Sequence, residues 1–327
     1  MSVVSAWNLD ATSYARSPLH GESALWIEKN CYIDVWIEGL HAAKLDPIAA
    51  LPFTLATDFE GDQWTFFKPS HADLATLYGV VVQELNVWKP LLEHALYHVA
   101  KGRLIFTEAD AHWLPDTSGT DYRTNHVKST IAIETVDLER RKLGYFHNAS
   151  YYTLEGEDFA RTFRLDMPPD PTFMPFFAEL ARFDRVERLP STELAARSRA
   201  LLPGWYARRP EQNPIVAFGD AFVRDLEGLK DQGIATYHAY AFATVRQCGA
   251  CFELSAEYLR WLGRELGTEW AAPATHFDAI SNGAKALIMK AARAVVGKKT
   301  VDFKPLFAEL AGHWDNGMAE LGALVRG

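Results

Sequence analysis

The chain has 327 residues, of which 48% are hydrophobic, and its 42 acidic and 33 basic side chains give a net charge of −9. An acidic chain disfavours nucleic acids and anionic lipid surfaces as partners. Neither a long apolar stretch nor an N-terminal basic segment followed by an apolar one is present, so we expect no membrane span, no signal peptide and a cytoplasmic location. Three cysteines argue against a disulfide scaffold.

The first half of the chain mixes helices and strands. Asn30 is a good N-cap for a helix over residues 30–41, in which apolar residues recur at helical spacing. The patterns that follow predict helices over 70–78 and 89–100, strands over 80–85 and 103–109, a loop over 114–119, and strands over 126–136 and 142–148 joined by a turn at 137–141. β-structure is expected to continue to about residue 167.

The second half has a helical period almost throughout, beginning at Ser191. The long helical segments predicted there are 214–231, 234–263, 275–297 and 303–325, and short strands are expected only near 183–188. The sequence therefore predicts an α+β protein, with a mixed domain over residues 1–170 followed by a mostly α-helical domain over residues 171–327.

Cys31 is a candidate nucleophile because it directly follows the predicted helix cap Asn30. A helix N-terminus carries roughly half a positive charge, which favours a thiolate over a thiol. Its free backbone N–H groups can also bind a developing oxyanion. A buried structural cysteine is the alternative, since free cysteine is among the most buried residue types.

A thiolate nucleophile needs a base, and His126 opens the first strand of the predicted hairpin. Asn148 ends the second strand, and a turn near 137–139 would bring it nearly opposite His126, as the group that orients the imidazole. Asp137 at the hairpin tip is rejected for that role, because at ~3.3 Å per residue it is roughly 30 Å away. Asp110, at the end of an earlier strand, remains an alternative orienting group.

Papain-like enzymes carry their catalytic residues in this order: a cysteine, then a histidine on a strand, then an asparagine on the next strand. The motif Asn-Cys-Tyr-x-Asp at 30–34, with Glu-x-Asp-x-x-Trp-Leu-Pro at 108–115 and Asn-His at 125–126, resembles the butirosin biosynthesis protein H family over about residues 25–150. The resemblance implies a papain-like cysteine-enzyme domain of helix plus antiparallel sheet. It also implies transfer of an acyl group from a carrier protein to an amine.

Nearly the whole chain resembles a bacterial family called domain of unknown function 1839. The resemblance rests on Asp-Phe-Glu-Gly-Asp-Gln-Trp-Thr-Phe-Phe at 58–67, Gly-Tyr-Phe-His-Asn-Ala at 144–149 and Leu-Glu-Gly-Glu-Asp at 154–158. Members tend to be encoded near carrier proteins and amino acid:carrier protein ligases. This implies an acyl carrier protein as partner, whose phosphopantetheine would belong to the substrate and not be a cofactor of this chain.

The sequence departs from papain-like peptidases in one respect. Those enzymes usually carry a glutamine several residues before the cysteine, and its side chain completes the oxyanion hole, whereas residues 23–27 contain no glutamine. A second oxyanion donor must come from elsewhere, and Asn30 or a loop is a candidate, with Asp110 a further cleft candidate. The departure disfavours a peptidase more than acyl transfer in general.

The remaining motifs are weaker. Asp58, Glu60 and Asp62, together with Glu155 in the second acidic segment, are candidates for binding an amine substrate, with structural loops as the alternative reading. Cys248-Gly-Ala-Cys251 has no second ligand pair, so helix packing is favoured over a zinc or redox site. No glycine-rich phosphate loop is present, and we expect neither nucleotide nor metal.

Together these features predict a cysteine-dependent acyl or aminoacyl transferase. Cys31 would accept the acyl group from a carrier-protein thioester, His126 would act as base with Asn148 as orienter, and a small amine would be the acceptor. Two alternatives stay open: a thioesterase, amidase or peptidase with the same triad, and a non-catalytic module that binds carrier proteins on the same fold.

Overall fold

The chain forms two compact units in the computed structural model, which describes residues 3–168, 170, 172–174 and 176–326. Unit 1 contains the chain up to Glu22, Asn30–Pro47 and His71–Arg188. Unit 2 contains Ser23–Lys29, Ile48–Ser70 and the chain from Leu189 onward. Cys31 and His126 therefore both belong to unit 1.

Unit 1 is built on one antiparallel sheet. Its strands are β1 (Val4–Ser5), β2 (Val81–Glu84), β3 (Leu104–Asp110), β4 (Lys128–Asp137), β5 (Lys142–His147), β6 (Ser150–Glu155) and β7 (Ala178–Arg182). The strand order is β2-β7-β3-β4-β5-β6, and β1 pairs with the end of β4. β4, with its run of β-branched residues, lies between β3 and β5 and carries most of the residues discussed below.

Helices cover both faces of this sheet. They are α1 (Cys31–Ala42), α2 (His71–Tyr78), α3 (Leu91–Val99) and α4 (Gly156–Thr162). On one face, Trp36 of α1 stacks on Phe106 of β3 with ring centroids 4.5 Å apart. On the opposite face, a buried cluster joins Ile105 and Ile131 of the sheet to Val99 of α3. Because side chains alternate along a strand, neighbouring residues of β4 face these two different environments.

Two turns set the register around β4. Asp137 pairs with Lys142, so the β4–β5 turn spans residues 138–141, close to the prediction. His147 pairs with Ser150, so only residues 148 and 149 connect β5 to β6. This second turn was not predicted, and it determines where Asn148 lies.

Unit 2 is helical. Its helices are α5 (Ser191–Ala207), α6 (Pro214–Gln232), α7 (Ile234–Ala243), α8 (Val245–Glu265), α9 (Ala274–Val296) and α10 (Lys304–Arg326). Phe252 of α8 stacks on Phe277 of α9, with 5.8 Å between ring centroids. The Trp26 indole donates a hydrogen bond to Ser281 at 2.9 Å and lies against Gly249, where a Cβ atom would come within 2.3 Å of the ring. Glycine is required there by close packing.

The α+β class, with an antiparallel sheet and a helical C-terminal part, is confirmed. The single helix predicted over 234–263 is wrong, because the chain breaks at Thr244, whose backbone (φ −120°, ψ −71°) is not helical. The main division between units falls after Arg188 and not at residue 170, since β7 pairs with β2 and β3. Within the described residues, no helix is both long and apolar enough to cross a membrane.

Candidate active site

Cys31 is the first residue of α1 and is half-buried. Its Sγ lies 3.7 Å from the Thr130 hydroxyl on β4. The Asn30 side-chain oxygen accepts hydrogen bonds from the N–H groups of Tyr32 and Ile33, at 3.1 and 3.0 Å, which confirms Asn30 as the helix cap. The thiol is thus placed at the positive end of the helix dipole, as the sequence predicts.

The cap also limits the expected oxyanion hole. The N–H groups of Tyr32 and Ile33 are used by the Asn30 side chain, and that of Asp34 donates to the Asn30 carbonyl at 3.1 Å. The Cys31 N–H makes no hydrogen bond to the described residues. The expectation that several backbone N–H groups at the helix start are available is therefore wrong. Of the four from Cys31 to Asp34, one, that of Cys31, has no partner among the described residues.

His126 lies just before β4 and pairs with Asp110 at the end of β3. Its Nδ1 is 2.6 Å from the Asp110 Oδ2, and its ring stacks on that of His112 with centroids 4.3 Å apart. Because a carboxylate only accepts hydrogen bonds, Nδ1 carries the proton and Nε2 is the nitrogen left to act as a base. Asp110 therefore makes the orienting contact that the sequence assigned to Asn148.

Asn148 does not lie opposite His126. Ala132 pairs with Phe146, so continuing the ladder places residue 148 beside residue 130, four positions from His126. At ~3.3 Å per residue this is roughly 13 Å. Asn148 is the first residue of the two-residue turn and has a φ of 43°, in the left-handed region that asparagine tolerates. The predicted pairing is wrong because it assumed one regular hairpin through residue 148.

Cys31 and His126 are not hydrogen-bonded to each other in this structure. The sulfur contacts Thr130, whereas the imidazole contacts Asp110, which pairs with Lys128. The imidazole thus lies at the level of Lys128, which is two residues, or roughly 7 Å, along β4 from Thr130. The histidine side chain is 70% exposed, and its described contacts are the Asp110 carboxylate and the His112 ring.

A second histidine lies beside the start of α1, in a contact that the sequence analysis missed. The Tyr32 hydroxyl donates to the Glu179 Oε2 at 2.7 Å and lies 2.9 Å from the His71 Nε2. Burial is the main cause that raises the pKa of Tyr32, so the hydroxyl stays protonated. These residues come from α1, α2 and β7. The only local signal for this contact in the sequence is that His71 follows the cap-like Ser70.

Asp34, the last residue of the Asn-Cys-Tyr-x-Asp motif, belongs to a buried charge cluster. The His20 Nε2 contacts the Asp34 Oδ1 at 3.0 Å, and its Nδ1 contacts the Glu38 Oε1 at 2.5 Å, with all three side chains fully buried. Burial lowers the pKa of His20, but the hydrogen bonds and charges of the two carboxylates outweigh it and raise that pKa. The motif aspartate thus anchors the N-terminal segment under α1.

The carboxylates proposed for substrate binding are dispersed. Asp58, Glu60 and Asp62 belong to unit 2, where the Asp58 Oδ1 accepts from the Phe59 N–H at 2.7 Å and the other two are exposed. Glu155, in unit 1, is exposed at the start of α4 and lies 4.0 Å from Lys142. Among the described residues, no group of three or more histidine, cysteine or acidic side chains could hold a metal ion.

The other two cysteines contrast with Cys31. Cys248 and Cys251 are buried in α8, and burial raises the pKa of both thiols, that of Cys251 to about 12. The Cys251 Sγ lies 3.1 Å from the Thr57 hydroxyl within unit 2. Both thiols therefore remain protonated near neutral pH and lack the features of a nucleophile.

The first unit is thus an α+β domain in which a half-buried cysteine begins a capped helix packed on an antiparallel sheet. The model of the DUF1839 N-terminal domain matches residues 15–183, and that of the DUF1839 C-terminal domain matches residues 191–323. The chain therefore belongs to the DUF1839 family, which confirms the membership suggested by the sequence blocks. No curated protein matches the chain in a search for relatives.

Proposed function

We propose that the chain is a cysteine-dependent acyl transferase with a papain-like arrangement in unit 1. The observation that carries the proposal is Cys31 itself, a half-buried thiol at the positive end of a capped helix whose own N–H has no partner among the described residues. That N–H is suitably placed to donate to the oxyanion that forms on the carbonyl oxygen when the sulfur attacks the carbonyl carbon. The donor is the thioester of an acyl carrier protein, and the acceptor is a small amine.

His126 is the base in this proposal, with Asp110 in the place first given to Asn148. Asp110 holds Nδ1–H, which leaves Nε2 to take the Cys31 proton. The exposed imidazole has to move from the level of Lys128 toward Thr130, which the thiol contacts, before it can take the proton. Contacts between catalytic groups are often long in structures without substrate and tighten when it binds.

The reaction then has two balanced steps. The Cys31 thiolate attacks the thioester carbonyl, the bond between carbonyl carbon and donor sulfur breaks, and the donor thiolate takes the proton from His126. An amine next attacks the acyl-Cys31 carbonyl and gives its proton to His126, and the thiolate is released. Replacing the amine by water would make the same residues a thioesterase.

Mass spectrometry after incubation with an acyl-loaded carrier protein tests the proposal. We expect the mass of the acyl group on Cys31 in the wild type and in Cys248→Ala, the control that removes a buried thiol. We expect no adduct and no transfer in Cys31→Ala. Turnover of the carrier thioester by Cys31→Ala at the wild-type rate would contradict the proposal, as would the absence of any adduct in the wild type.

A further inference from the structure

A second array of hydrogen-bonded side chains lies on the opposite face of β4 from Cys31. The Ser129 Oγ is 2.6 Å from the His147 Nε2, and the His147 Nδ1 is 2.5 Å from the Asp116 Oδ2. The Tyr145 hydroxyl donates to the other Asp116 oxygen. Within unit 1, Ser129 thus already contacts its imidazole, whereas Cys31 does not contact His126.

The carboxylate fixes the direction of the hydrogen bond between His147 and Asp116. A carboxylate only accepts, so Nδ1 of His147 carries the proton and donates to Asp116. In the state with one ring proton, Nε2 accepts the proton of the Ser129 hydroxyl. Burial, with the charge of Asp116 second, raises the pKa of Tyr145, which keeps Tyr145 a donor and holds the carboxylate in place. This polarity is the one that activates a serine as a nucleophile.

A cavity lies close to the serine, which is not itself one of its lining residues. Its volume is about 440 Å³, and Val127 and Lys128, immediately before Ser129, line it. Ala109, which pairs with Ser129 across the β3–β4 ladder, also lines it. Cross-strand partners have Cβ atoms about 5 Å apart, so the hydroxyl-bearing carbon lies within one side chain of the cavity wall. Trp113 and Phe176 supply aromatic walls suited to an apolar group, beside the charged side chains of Arg161 and Arg164.

We propose that Ser129 is the nucleophile of a second acyl-transfer site, for esters or thioesters of apolar acids whose acyl group occupies this cavity. The Ser129 oxygen bonds to the carbonyl carbon, the bond to the alcohol or thiol breaks, and the Ser129 proton passes through His147 to the leaving group. Water then attacks the acyl-serine, gives a proton to His147, and Ser129 recovers it as the acid is released. The nucleophile of this site differs from Cys31, although His126 and Asp110 of the first proposed site also line the cavity.

A fluorophosphonate with an alkyl chain is the probe, because Ser129 displaces its fluoride and keeps the phosphorus. We expect one adduct on Ser129, located by peptide mass spectrometry, in the wild type and in Cys31→Ala. No adduct should form on residue 129 of Ser129→Ala, and labelling of His147→Gln should slow at least about 100-fold. Labelling of Cys31→Ala separates this site from the proposed cysteine chemistry.

A second measurement keeps the test independent of variants that unfold. Preincubation of the wild type with phenyl decanoate should slow labelling of Ser129 several-fold more than phenyl acetate, whose acyl group is too small to fill the cavity. No adduct on Ser129 in the folded wild type would overturn the proposal. Labelling as fast in a folded His147→Gln, or equal protection by the two esters, would overturn it too.

Discussion

The two faces of β4 hold nucleophile candidates in opposite conditions. On the α1 face, Cys31 is accessible, but His126 is turned away toward Asp110. On the other face, Ser129 and His147 are in contact, but both are buried. A nucleophile can therefore be accessible without contacting its base, or contact its base while buried. On β4 the two cases are met at neighbouring residues, since Thr130 contacts Cys31 and Ser129 contacts His147.

The largest expected contrast is in stability. His147→Gln should lower the free energy of unfolding by about 3 kcal/mol, because it leaves the buried Asp116 without its charge-assisted partner. His126→Gln is the matched change on the other face. It should lower the free energy of unfolding by less than about 1 kcal/mol, since the ion pair of His126 with Asp110 is solvent-exposed. Urea denaturation of both variants measures the difference, and equal costs would refute the contrast.

Next in size is the pH dependence of the charge cluster beneath α1. The pKa of His20 is higher in the folded state than its ordinary value, so its stabilising effect is complete below about pH 6.5 and is lost as pH rises through the raised pKa. His20→Gln should cost about 2 kcal/mol at pH 6 and less at high pH. Unfolding curves between pH 6 and 9 test this, and a constant difference between the two proteins would exclude it.

The smallest effect separates the two groups proposed to orient His126. Asp110→Asn should slow acyl transfer to Cys31 about ten-fold with little loss of stability, because it weakens the hold on the Nδ1–H. Asn148→Gly should leave the rate unchanged, since glycine suits the left-handed backbone at that turn. The rate of acyl-enzyme formation is the measurement. The opposite ranking of the two variants would restore Asn148 as the orienting group.

Local signals in the sequence predicted local structure well. Asn30 was identified as a cap because capping depends on residues two and three positions away. The β4–β5 turn followed from one polar run between two alternating segments. The short helix α4 was missed because its seven residues directly follow β6 without a side-chain cap.

The contacts of the candidate sites were less predictable, because they join distant segments. Asp110 meets His126 only because β3 and β4 pair in a particular register, which single-sequence patterns do not determine. Ser129, His147 and Asp116 come from β4, β5 and a short 3-10 helix at Pro115–Thr117, and no spacing rule connects them. Asn148 was misplaced because a two-residue turn with asparagine at its first position was taken for the end of a strand.

The cluster of His20 with Asp34 and Glu38 also sets limits for protein engineering. The N–H of Ser17 and the hydroxyl of Tyr14 donate to Glu38 as well, at 3.0 and 2.6 Å. Trimming the chain past residue 20 would leave two carboxylates of α1 without the His20 cation that pairs with them. Shortened versions should therefore keep Tyr14, Ser17 and His20, and also β1, which pairs with β4.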